Sequence, residues 1–127
     1  MIASHEKTYS SEHVHFMCRD IVDDATLPEG DMCLIRQVLQ HLSNDEIKKV
    51  LPKLKQYQYS LITEHVTPKK QAQSFNADIL TGHHNRIGMF SGVYLDEAPF
   101  NLECEIILRI PYDAQGISEL VTYLVRS

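Results

Sequence analysis

Asp31-Met32-Cys33-Leu34-Ile35-Arg36-Gln37-Val38-Leu39-Gln40-His41-Leu42-Ser43-Asn44-Asp45-Glu46 reads as a strand that runs through a short loop into a capped helix. Met32 to Ile35 is a continuous apolar run, the pattern of a central strand covered on both faces, and it predicts the middle of a sheet. Ser43 and Glu46 have capping-box spacing: the Ser hydroxyl accepts from the Glu46 amide while the Glu side chain returns to the Ser43 amide, and Leu42 and Ile47 flank the pair as a hydrophobic staple. Ile47, Val50, Leu51 and Leu54 recur at helical spacing. Pro52 lacks an amide donor, so two short helical pieces are expected rather than one rod.

Working outward, Tyr59 to Thr63 is the next strand and ends at Glu64-His65. Upstream, Val14, Phe16 and Cys18 alternate with more polar neighbours, which predicts a further strand, and Leu27-Pro28-Glu29-Gly30 punctuates the approach to Met32. Downstream, residues 67 to 100 form a long, mostly polar connection containing Thr81-Gly82-His83-His84-Asn85-Arg86 and Ser91-Gly92-Val93. Such a length in a small domain points to a functional segment rather than a bare loop. Glu103 to Ile110 and Leu120 to Arg126 are β-rich, and Pro111, Asp113 and Gly116 between them favour an antiparallel hairpin. Strands separated by a helix pair in parallel through a right-handed crossover. The expected fold is therefore α/β: a mixed sheet of about five strands, an antiparallel C-terminal hairpin, helices on the faces, and a single domain over residues 1–127.

The 127 residues suffice for one core. A net charge of -5 argues against a general nucleic-acid binder, and Lys48, Lys49, Lys53 and Lys55 read as the solvated face of a helix. Cys18, Cys33 and Cys104 are odd in number and lie in strand-like apolar runs, as buried reduced thiols do, which favours a cytoplasmic protein. Neither a signal-peptide core nor an apolar run of membrane-spanning length is present.

Glu64 and His65 fall where a parallel sheet presents its carboxyl ends, so Glu64 is a candidate general base, with a structural carboxylate as the alternative. Arg36 and Gln37 end the preceding strand and are candidates to hold a ligand; the alternative is that Arg36 pairs with Asp31 or Glu64. His83 and His84, with His41 or His65, lack metal-ligand spacing, and no metal site is expected. No Gly-x-Ser-x-Gly elbow is present.

Val14 to Asp20, Leu27 to Ile47, Leu61 to His65, Ser91 to Phe100 and the final hairpin together resemble the C-terminal half of a class I S-adenosylmethionine-dependent methyltransferase, a Rossmann-like fold. The resemblance implies that Val14 to Asp20 is the third strand of that fold, with Asp20 near the adenine amine of the cofactor. The Asp31 strand becomes the fourth, with Arg36 and Gln37 facing the methyl donor. Residues 60 to 65 become the fifth, carrying Glu64 and His65 as candidate catalytic groups. Residues 1 to 12 resemble the end of the helix after the second strand.

The same resemblance places a glycine-rich cofactor turn upstream, and Gly82, Gly88 and Gly92 are isolated glycines that do not supply one. S-adenosylmethionine is thus the implied cofactor, with weak or no binding expected of this chain alone. Without a first strand, the apolar Met32–Ile35 edge would be exposed and prone to association. A homodimer is expected through that edge or through the face that absent helices would cover, acting as a binding or assembly module. The alternative is a small-molecule methyltransferase whose site is completed in trans, by a companion chain supplying the missing strands or by dimerisation.

Overall fold

The computed structural model describes residues 13–127; the helical expectation for residues 1 to 12 lies outside them. Four strands form one mixed sheet: β1 (Met32–Arg36), β2 (Tyr59–Val66), β3 (Glu105–Pro111) and β4 (Glu119–Arg126), in the spatial order β1-β2-β4-β3. β1 and β2 are parallel, with Leu34 opposite Leu61. β4 lies antiparallel between β2 and β3, and the register shifts between Ile106 and Leu108 in β3. The α/β class, the parallel pair and the C-terminal hairpin are as the pattern predicts.

The crossover from β1 to β2 is helical. Leu39–His41 forms a 3-10 turn, α1 spans Asn44–Val50, and a second 3-10 segment over Leu51–Gln56 carries Pro52 at its start, giving the two expected pieces. Only half of the capping box forms. The Ser43 side chain accepts from Glu46 N at 3.3 Å, but Ser43 N donates to Thr81 Oγ1 at 2.8 Å, so the long connection supplies the partner expected from the Glu46 side chain. Lys53 is likewise no solvated lysine: its Nζ donates to the carbonyls of Ile21 and Val22 at 2.9 and 2.7 Å and fastens the 20–24 turn to the helical layer.

Ile35, Ile62, Val66, Val121, Tyr123 and Val125 face Leu39, Ile47, Val50 and Leu54 of the helical layer, together with Val93, Tyr94 and Leu95 of the long connection. Side chains of β1 alternate, so Ile35 enters this core while Met32 and Leu34 point away and stay 50% and 70% exposed. On the same outer face Leu108 and Ile110 of β3 are also exposed. Among the described residues the helices cover one face only, and β1 is an edge strand rather than the middle of the sheet.

Val14 to Cys18 is not a strand. It runs as coil, with Val14 and Met17 about half exposed and Cys18 exposed, so the sheet has four strands, not five. An alternating pattern specifies a pleated surface but not a neighbour, and no described strand pairs with this segment. Cys33 and Cys104 are only partly buried, and no disulfide joins the three cysteines. No helix among the described residues is long and apolar enough to cross a membrane.

The long connection is ordered without regular structure apart from one 3-10 turn at Ile87–Met89. Buried polar side chains replace its missing secondary structure. Asn76, in a left-handed conformation at φ 56°, accepts from Tyr94 N and donates to the carbonyls of Tyr94, Glu97 and Ala98. Gly92 lets the connection lie directly on β2: a Cβ there would sit 2.5 Å from Val66 Cβ and 2.9 Å from Val66 Cα. Gly92→Ala is expected to lower stability by about 1–3 kcal/mol, the usual cost of overpacking. Urea unfolding of Gly92→Ala beside the wild type checks this; an unchanged midpoint would show that the connection can shift away from β2.

Candidate functional site at the carboxyl ends of the strands

The helical crossover brings the C-terminal ends of β1 and β2 side by side, and the antiparallel register sets the β3–β4 turn at the same end, with Val66 and Pro111 both opposite Glu119. Arg36, Gln37, Glu64 and His65 therefore share one end of the sheet, joined by the turn residues Tyr112, Asp113 and Ser118. Gln37 takes a left-handed conformation at φ 53° and its N–H donates to Thr63 O at 2.7 Å, which ends the pairing and turns the chain into the Leu39–His41 segment. Arg36 is exposed and forms no ion pair among the described residues, with neither Asp31 nor Glu64 taking that role.

Glu64 is fully buried. Its two carboxylate oxygens accept from the N–H groups of Leu39 and Gln40, each at 3.1 Å, so the side chain caps the 3-10 turn and ties it to β2. Burial pushes this carboxyl up to about 8, against the pull of the Gln40 and Leu39 amides and of Arg86. With no exposed surface and both oxygens occupied, it serves the backbone of the β1–α1 connection.

His65 is more accessible. Its Nε2 lies 2.8 Å from Ser118 Oγ, its ring stacks on Tyr112 with centroids 4.1 Å apart, and its backbone N–H donates to Gln40 Oε1 at 2.8 Å. Ser118 Oγ in turn donates to Asp113 Oδ2 at 2.8 Å, and Asp113 also accepts from Ile117 N and Ser118 N. Those donors hold the Asp113 carboxyl below its ordinary range, while burial lowers the His65 imidazole despite the pull of Asp113. The serine hydroxyl stands between the carboxylate and the imidazole, so its proton goes to Asp113 and the group pins the hairpin turn to β2. It is not a nucleophile–base–acid relay, in which the histidine would be central.

Asp20 is set apart from this group. Its carboxylate accepts from Val22 N and Asp23 N at 2.9 and 3.1 Å, closing a tight turn, and those amides keep it below its ordinary range. It borders a shallow depression with Cys18, Lys49 and Thr81. Arg36 instead borders a groove of about 420 Å³ along β1, whose wall includes Arg19, Leu27, Met32, Leu34 and Tyr57. Arg19 and Ile21 line both depressions, so the two candidate cofactor positions Asp20 and Arg36 lie on adjoining surfaces.

Sequence patterns alone did not single out Gln40, Ser118 or the role of Arg86. Arg86 is 1% exposed and donates through Nε to Ala77 O, through one terminal nitrogen to Gln40 O, and through the other to Leu42 O and Asn44 Oδ1, at 2.5 to 3.0 Å. It fills the space between the long connection and the β1–α1 loop. The polar string Thr81 to Arg86 was the signal, and its content is structural. No group of three or more His, Cys, Asp or Glu side chains among the described residues could hold a metal ion.

No family model, no curated protein and no solved structure matches the chain.

The raised Glu64 carboxyl fixes a sign. The folded chain holds this proton where the unfolded chain has lost it, so the contribution is complete below the ordinary value of 4.5 and fades as pH rises towards about 8. Thermal midpoints of the wild type should therefore fall relative to those of Glu64→Gln across that interval; parallel profiles would show that Glu64 titrates alike in both states.

Proposed function

We propose that this chain is a methyltransferase-like half-domain that works as a homodimeric binding or assembly module and does not bind S-adenosylmethionine or catalyse by itself. The observation that carries this reading is the strand order β1-β2-β4-β3, with a parallel pair followed by an antiparallel strand placed inside the hairpin. A parallel pair joined to an antiparallel C-terminal hairpin is what the resemblance implies for the C-terminal part of a class I methyltransferase sheet. Two further features support it. The strand corresponding to the fourth lies at an edge among the described residues, where the resemblance implies a first strand beside it. The candidate base Glu64 is sealed beneath the β1–α1 turn and cannot reach an acceptor. Three cysteines without a disulfide suit a reducing, cytoplasmic setting.

A second reading rests on Arg36 and the groove along β1, which remain open. In it, a companion chain supplies the first strand and the glycine-rich turn that the resemblance implies, and the pair methylates a small molecule with Asp20, Arg36 and Gln37 on the cofactor side. Calorimetric titration of the 127-residue chain with S-adenosylmethionine separates the two. No heat of binding at concentrations that would fill a micromolar site is expected. Saturable binding by the chain alone would overturn the assembly-module reading.

A further inference from the structure

The alternation of backbone groups along β1 defines its free side. Asp31 O accepts from Gln58 N and Tyr59 N, and Gln37 N donates to Thr63 O, so the odd-numbered residues from 31 to 37 direct their N–H and C=O groups at β2. The even-numbered residues Met32, Leu34 and Arg36 direct theirs outwards. They also carry the exposed side chains: Met32 and Leu34 are apolar, and Arg36 forms no ion pair among the described residues. This edge has neither proline nor bulge, and its one charge is Arg36 at its end, so the apolar stretch of Met32 and Leu34 carries none of the usual protections of an unpaired strand. The opposite edge has two: the register of β3 shifts between Ile106 and Leu108, and Pro111 removes a donor at its end.

We propose that β1 pairs antiparallel with β1 of a second copy about a two-fold axis at Leu34, joining the two sheets into one of eight strands. This rests on the assembly-module reading and specifies its interface. A centre at Leu34 uses every outward residue, with Leu34 against its own counterpart and Met32 against Arg36. The charges choose the direction. Glu29 and Asp31 precede the strand and Arg36 ends it, so antiparallel pairing brings each acidic start to the end of the ribbon that holds the other copy's basic residue, with Met32 the residue directly opposite Arg36. Parallel self-pairing would align like charges. The 420 Å³ groove along the strand gives the second backbone room to approach. The most exposed core-type side chain of the strand, Leu34, then meets an identical side chain on the same face.

Sedimentation velocity of the full chain at about 100 µM, a concentration at which small interfaces associate, tests the interface. The wild type should contain dimer; Leu34→Lys and Arg36→Glu should each weaken it by at least about tenfold. The pair Met32→Lys, Arg36→Glu sets a new cation directly opposite the new carboxylate on the same face and should recover most of the association lost in Arg36→Glu. Circular dichroism should remain that of the wild type, since the altered side chains lie at the surface. A dimer insensitive to all three variants would overturn pairing through β1 while leaving a homodimeric module with another interface. A chain that stays monomeric would overturn the proposed dimer altogether. Loss of the dimer in Arg36→Glu without recovery in the Met32→Lys, Arg36→Glu pair would overturn the antiparallel register.

Discussion

The carboxylate of Glu64 holds together the part of the molecule on which everything else is hung. Strand β2 is central, and its parallel partner returns to it only through a short crossover that begins with a 3-10 turn too brief to be stable alone. Glu64 accepts the two free N–H groups that open this turn. Gln40, fixed by that contact, reaches back with its own side chain to the N–H of His65, and its carbonyl receives Arg86 from the long connection. Arg86 passes the constraint to Leu42 and Asn44, and Asn44 passes it to Asn76. One buried acid and one buried base thus set the positions of the loop after β1, the start of α1 and the connection between β2 and β3. The side chains of Glu64, Gln40, Arg86, Asn44 and Asn76 all find partners, which is what allows so polar a layer to lie against the sheet.

That layer covers only one side. The core side chains come from alternate positions of β1, β2 and β4, and the other positions of those strands hold Met32, Leu34, Leu61, Leu120 and Leu124. A sheet with apolar residues on both faces is built for two layers, and the described residues provide one. The exposure of Leu34 and the edge position of β1 are therefore two aspects of a single circumstance: the strand carries the composition of a central element without central surroundings.

The sequence made the local elements readable and left their surroundings hidden. The apolar run of Met32 to Ile35, the Ser43 cap, the break at Pro52 and the turn around Asp113 and Gly116 all depend on neighbours within a few residues, and all are found where the pattern puts them. Three features depend on distant parts of the chain and could not be read. Val14 to Cys18 has strand alternation but no described strand beside it; Glu46 has the right spacing for a capping box but Thr81 arrives first; Lys53 looks solvated but caps carbonyls some thirty residues earlier. The candidate site was legible as a place, because the carboxyl end of a parallel pair follows from the crossover. The duties of Glu64 and His65 were not, because whether a carboxylate faces a substrate or a backbone amide is decided by the path of the next loop.

The open edge of β1 also bears on the relation between the two functional readings. A strand has one set of outward N–H and C=O groups, and here they belong to Met32, Leu34 and Arg36. A second copy paired there occupies the groove in which a complementing strand from a different chain would have to lie, and it sets Arg36 against Met32 of its twin rather than towards a cofactor. Self-association and completion in trans therefore exclude each other at this edge. Whichever partner reaches β1 determines whether Arg36 and Gln37 are interface residues or ligand residues, so the same strand can serve assembly or catalysis but not both in one complex.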